Sequence, residues 1–286
     1  MKKRIMGVVA GLIAAMALAP AAMASTHHPT GEFTPFGECP FARATITDCV
    51  SSITTGGSVT IGNKTVPIVN PVTLQGGFEG VVPNIDFYGA ENGETLSPTP
   101  QPVPGGLLGL LNCKTQTNLI IKGLCEAALE NGLTGVDAIV ELVGPSKGLT
   151  NIKLNTENLL FSEGTALQLP IKIRLKNPTL GNECYIGSDK EPMVISFTSG
   201  TSGALTGAPG TLTFNNDFSI ITVEGAKIVN NTFSAPEAHG CGGLLSILIN
   251  PVVNLMLGTP AGEGKNFATL EAGFKDSQPE YVIASE

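Results

Sequence analysis

A histidine stands two residues before a cysteine at His239-Gly240-Cys241, with Ser234 and Glu237 just upstream. These are the residue types of nucleophilic catalysis, in which an imidazole takes the proton of a serine or cysteine. Two features argue against that chemistry. No G-x-S-x-G nucleophile elbow exists in the chain, and a cysteine committed to a disulfide has no thiolate to attack with. Histidine, the usual general base, is also scarce: the others are His27 and His28. No catalytic residue is therefore assigned, and His239 reads as a turn residue beside a staple.

A second constellation lies near the start. If a leader is removed after Ala24, the new terminus is Ser25-Thr26-His27. A free amine, two backbone amides and a third-position imidazole offer the square-planar nitrogen set that suits Cu(II) or Ni(II). The competing expectation is a loosely held terminus, so no metal ligand is assigned. Paired carboxylates could serve a glycosidase, but the aromatic platforms of sugar sites are scarce, with no Trp and 3 Tyr. The chain also lacks an EF-hand calcium loop, a Walker loop and a dinucleotide fingerprint. No cofactor is expected.

The first 24 residues have the form of a secretory signal: Lys2, Lys3 and Arg4, an apolar stretch from Ile5 to Ala19, and Ala22 and Ala24 before the cut. The apolar stretch is short for a bilayer span, so cleavage and no stable membrane span are expected. The 262 residues that remain carry 13 Lys and Arg against 24 Asp and Glu, a formal charge of −11. Such a chain repels phosphate backbones, which excludes nucleic acid as a partner.

All six cysteines (Cys39, Cys49, Cys113, Cys125, Cys184 and Cys241) follow the leader, an even number that implies bridges in an oxidising compartment. The favoured pairing is Cys39 with Cys49 and Cys113 with Cys125, which are close in sequence. Cys184 and Cys241 are left by elimination. None stands closer than ten residues to another, which argues against zinc.

The elements that would position these residues are mostly short β-type runs. Residues 44–78 alternate Val, Ile and Thr runs with Gly56-Gly57 and Gly62-Asn63, read as hairpin turns. SPTPQPVPGG at 97–106 reads as an extended linker, which divides an N-terminal β segment, 25–96, from a main domain, 107–286, unless the whole packs as one. Strands then recur through EYVIA at 280–284. The clearest is LPIKIRLK, with Ile171, Ile173 and Leu175 on one face and Lys172, Arg174 and Lys176 on the other. Helices are expected near 117–131 and 244–257, the second burying a stripe of Leu244, Leu248, Val252 and Leu255, with Asn250-Pro251 able to cap and restart it. The fold class is mainly β, an antiparallel sandwich or barrel-like core with one or two short helices. TLQGGF at 73–78 and TLEAGF at 269–274 echo each other as strands with like roles would.

Residues 169–188 (LPIKIRLKNPTLGNECYIGS), 230–243 (NNTFSAPEAHGCGG) and 258–270 (GTPAGEGKNFATL) resemble a group of exported actinobacterial proteins with no assigned function. The resemblance covers residues 133–286, and more weakly 33–78. It implies secretion and a shared cysteine frame containing Cys184 and Cys241, and it carries over no catalytic or binding residue.

The composite expectation is a secreted, extracellular or cell-wall-associated, disulfide-stabilised β protein without enzymatic chemistry that binds a partner or associates with itself. The alternative is a carrier of an apolar aliphatic ligand, motivated by LLGLL and LLSILINPVVNLML. A hydrolase of unrecognised type comes third.

Overall fold

The computed structural model describes residues 27–81 and 84–286. The leader, Ser25 and Thr26 lie outside the described residues. Two antiparallel sheets pack face to face, and they do not close into a barrel.

Along the chain, β1 (Asp48–Ile61), β2 (Lys64–Pro67), β3 (Val72–Val81) and β4 (Asn84–Gly89) come first. Helices α1 (Gly106–Leu110) and α2 (Leu119–Glu130) follow, then β5 (Asp137–Leu142), helix α3 (Thr156–Phe161), β6 (Leu167–Lys176) and β7 (Met193–Phe197). Strands β8 (Thr211–Phe214) and β9 (Ile220–Asn230), helix α4 (Ser246–Leu257), β10 (Phe267–Ser277) and helix α5 (Pro279–Ala284) complete the chain. The first sheet runs β8-β9-β10-β1-β3-β4, with Gly148–Leu149 at its edge and β2 beside β1. In the second, β6 pairs with β5, β7, Lys153–Leu154 and Tyr185–Ile186. The proline-rich segment crosses between sheets, Gln101–Pro102 pairing with β5. The echoing hexapeptides lie in β3 and β10, the two flanking partners of β1.

Alternation in β6 follows the sequence pattern: Ile171, Ile173 and Leu175 are buried, while Lys172 pairs with Asp189 and Arg174 with Glu141. Gly62-Asn63 is the expected hairpin turn, closed by Ile61 opposite Lys64. Gly56-Gly57 is not a turn. It sits at a bulge inside the continuous 14-residue β1, where the register against β10 shifts between Thr54 and Gly56. A Cβ on Gly57 would lie 2.0 Å from the Thr269 carbonyl oxygen at φ +106°, so only glycine fits. The extra residue flips the side-chain parity, so that Val50 and Ser52 before it and Val59 and Ile61 after it all face the second sheet. A second bulge in β9, between Val223 and Ala226, does the same for Val223 and Ile228.

EYVIA forms helix α5 rather than a strand. Pro279 at its first position presets φ and lacks the N–H that a helix start leaves unpaired. Val282 is buried against Phe36, Cys39 and Tyr88.

Helix α4 turns a different face inward from the one its sequence pattern points to. Ile249, Val253 and Leu257 are buried, while Leu244, Ile247 and Leu255 face outward. The helix runs unbroken through Pro251, whose exposed position leaves the orphaned carbonyl within reach of water. Asn250 and Asn254 set this phase. The Asn250 Oδ1 accepts from the Cys241 amide at 2.9 Å, and Asn254 bonds both the amide and the carbonyl of Ala238. Truncation should separate the two faces. Ile249→Ala, at 1% exposure, is expected to lose about 2–4 kcal/mol of unfolding free energy. Ile247→Ala, at 83%, should stay within about 0.5 kcal/mol of the parent in the same urea titration. Equal losses would restore the other phase. In helix α2, Ile121, Cys125 and Ala128 are buried, and Leu119 and Ile120 are exposed.

Three disulfides join Cys39 to Cys49, Cys113 to Cys125 and Cys184 to Cys241. No cysteine is free among the described residues, and three such bridges point to an oxidising compartment. No helix among the described residues is long and apolar enough to cross a membrane.

Candidate functional site

The residues singled out by sequence line an open cleft of about 860 Å³ with walls that include Glu191, Ser234, Glu237, His239, Pro260 and Gly262. Ala238–His239 is a short strand paired with Tyr185–Ile186, which presents His239 at the rim. Its Nε2–H donates to the Gly187 carbonyl at 3.0 Å, and its ring stacks at 6.3 Å on Tyr185. Cys241 is disulfide-bonded and fully buried. Ser234 and Glu237 make no hydrogen bond to His239, so the structure brings these groups into one cleft without forming a nucleophile–base pair. His27 is tied down: its Nδ1 lies 2.9 Å from Oε1 of Glu286, which also accepts from the His28 amide. Its ring packs on Phe41. His27 and His28 are thus held to Glu286. Among the described residues no three His, Cys, Asp or Glu converge as a metal-ligand set.

A different site lies between the sheets. Three apolar voids of about 60, 90 and 40 Å³ follow one another along the interface. The first, capped by Leu257 of α4 and bordered by the polar Lys64 and Gln101, shares Val59, Ile68, Val140 and Ile171 with the second. The second shares Leu74, Leu167, Ile228 and Ala272 with the third. The third ends at Val50, Phe87 and Phe274. Protein interiors are normally packed close to crystal density, so three adjoining voids mark a line where the sheets fit loosely. From Val50 to Ile61 the line follows nearly all of β1, about 35 Å at ~3.3 Å per residue.

Two carboxyl groups stand where this line meets Val50 and Phe274. Asp276 of β10 lies directly opposite Val50, and Asp48 lies two residues before Val50 on the same face. Asp276 is 9% exposed, and its Oδ1 has no hydrogen-bond partner. Burial, reinforced by the Asp48 charge and opposed by the Ser277 amide, pushes its carboxyl up to about 8. Burial also raises Asp48, against a hydrogen bond from Thr47. Sequence reading did not single out these two. The signal was present in β10, where the inward alternation Ala268, Leu270, Ala272, Phe274 continues to Asp276 and so points a carboxyl at the core.

Comparison with protein-family models, with curated proteins and with solved structures yields no match.

Proposed function

We propose that the chain is an exported, non-enzymatic binding protein of the extracellular or cell-wall space, and that its ligand is an aliphatic chain held between the two sheets. The observation that carries this reading is the file of three adjoining apolar voids. Each is smaller than the roughly 150 Å³ that takes up benzene, but the walls they share contain Leu74, Leu167, Ile68, Ile171 and Ile228 beside the smaller Val59, Val140 and Ala272, and rotamer changes of the longer side chains would merge them. The lining is mostly aliphatic, with Phe87, Phe197 and Phe274 its aromatic members, which suits an alkyl chain better than a flat ring. The leader-like start and the three bridges support export.

Organic extraction of the protein secreted by its own source, followed by mass spectrometry, should yield about one equivalent of an aliphatic compound. Ala272 forms a wall common to two voids. Ala272→Leu is therefore expected to fill the line and reduce the co-purified ligand at least about tenfold, a loss of ~1.4 kcal/mol, with the melting temperature kept. An empty parent protein eluting as an oligomer would overturn the carrier reading. It would direct attention instead to the exposed apolar face of α4 as a surface for self-association.

A further inference from the structure

The head-group end of such a ligand can be read from the register of β1, β8, β9 and β10, an inference that rests on the aliphatic-chain reading above. Asp48 and Asp276 are diagonal neighbours on the inward face, a relation that places Cα atoms roughly 7–8 Å apart in an antiparallel pair. On the other side of Asp276 stands Ile221, and opposite Ile221 stands Phe214. Leu212 and Phe214 of β8, Phe218 of the connecting turn and Ile221 are 37% to 74% exposed. The Phe214 and Phe218 rings touch at a centroid distance of 5.7 Å. This apron runs by register from solvent to the buried carboxyl and to the third void. Residues 211–226 contain no Lys or Arg, and their charged members, Asp217 and Glu224, are acidic.

We propose that this end of the line is the head-group site for a long-chain aliphatic amine in its ammonium form, its chain lying in the voids and its N–H groups donating to Oδ1 of Asp276. One cation offsets two crowded carboxyls and satisfies a buried acceptor that otherwise has no partner. An anionic head would meet like charge, and a neutral alcohol would leave the pair uncompensated. β1 presents Asp48 to the site, and β9 presents Ile221 and Val223. Asp48 is the group whose charge acts on Asp276. Because Asp276 holds its proton up to about pH 8, ammonium binding below that pH releases one proton from the carboxyl to solvent.

Calorimetric titration with dodecylammonium and dodecanol, each below its aggregation concentration, tests the assignment. At pH 8 the parent should bind the ammonium at least about tenfold more tightly than the alcohol, the scale of one charge-assisted hydrogen bond. That affinity should fall by about tenfold per pH unit on acidification below pH 8. Asp276→Asn should weaken ammonium binding about tenfold and abolish its pH dependence. Asp48→Asn removes the charge that helps to raise Asp276 and should move the pH midpoint downward. If the alcohol binds as tightly as the ammonium, or Asp276→Asn leaves the pH profile intact, the head-group assignment fails while the aliphatic reading stands. If neither compound binds, both fail.

Discussion

At pH 8 the Asp276→Asn protein is expected to melt about 10 °C above the parent, whereas at pH 4.5 the two should melt within about 2 °C of each other. The sign follows from linkage. The Asp276 carboxyl titrates near 3.8 when free and near 8 in the fold, so between these values the folded chain holds a proton that the unfolded chain gives up. Stability from this group is fully present below about pH 4 and is lost as pH rises towards 8. At ~1.4 kcal/mol per pH unit, the loss reaches about 4 kcal/mol at pH 7. Asparagine is neutral in both states and removes the slope, at a cost of about 1 kcal/mol for fitting an amide where Oδ1 has no donor. The shift at Asp48 has the same sign. Glu79 and Asp217 are shifted down by their hydrogen bonds to Arg43 and Ser219, so their contributions are lost on acidification below about pH 4, outside this window. Melting curves of the parent from pH 5 to 8 are the check. A flat profile would mean that Asp276 is ionised and solvated in the folded chain.

A buried, unpaired carboxyl that makes a protein less stable as pH rises is not explained by packing. A cation from outside the chain would turn that cost into affinity, which is why stability and ligand binding should share one pH midpoint. The two can be separated: a stability slope without ammonium binding would make Asp276 a strained core residue and nothing more.

The strand-rich character was legible because period-two alternation is strict in segments such as β6, whose outward faces are charged. Helix phase was not. From Leu244 to Leu257, which takes in α4, ten of fourteen positions are apolar, not counting Pro251, so several stripes fit a period of 3.6. The choice is made by Asn250 and Asn254, whose partners, Cys241 and Ala238, lie outside the helix. The Gly56-Gly57 pair misled for a related reason. Glycine supplies positive φ to turns and bulges alike, and long-range pairing with β10 decides between them. The chemistry-bearing types around His239 were conspicuous and do share a cleft, yet without a nucleophile–base contact. The candidate site that does emerge depends on the two bulges that bring Val50, Val59, Val223 and Ile228 to one face. Those bulges are properties of paired strands and not of any single segment.

Replacing Cys184 and Cys241 together by Ala should destabilise the chain more than removing either other bridge. The separations closed are 57, 10 and 12 residues. Loop-closure entropy then assigns about 4 kcal/mol to the long loop and about 3 kcal/mol to each short one. Position adds to this difference. Cys184 and Cys241 are both fully buried, so their loss also opens a void in the core, while Cys113 is only partly buried. Cys39 and Cys49 are equally buried, so against that bridge the difference is loop length alone. The long bridge further holds the start of α4 beside β6: the Leu175 amide donates to the Cys184 carbonyl, and the Cys241 amide donates to Asn250. When it is cut, α4 keeps its asparagine contacts but loses the covalent tie to the second sheet, and Leu257 loses its hold over the first void. The double variant should therefore unfold at lower urea and also leak ligand from the Leu257 end, whereas removal of the Cys113–Cys125 bridge should lower the midpoint less and leave binding unchanged. The opposite order of midpoints would show that α4 is held by its asparagines alone.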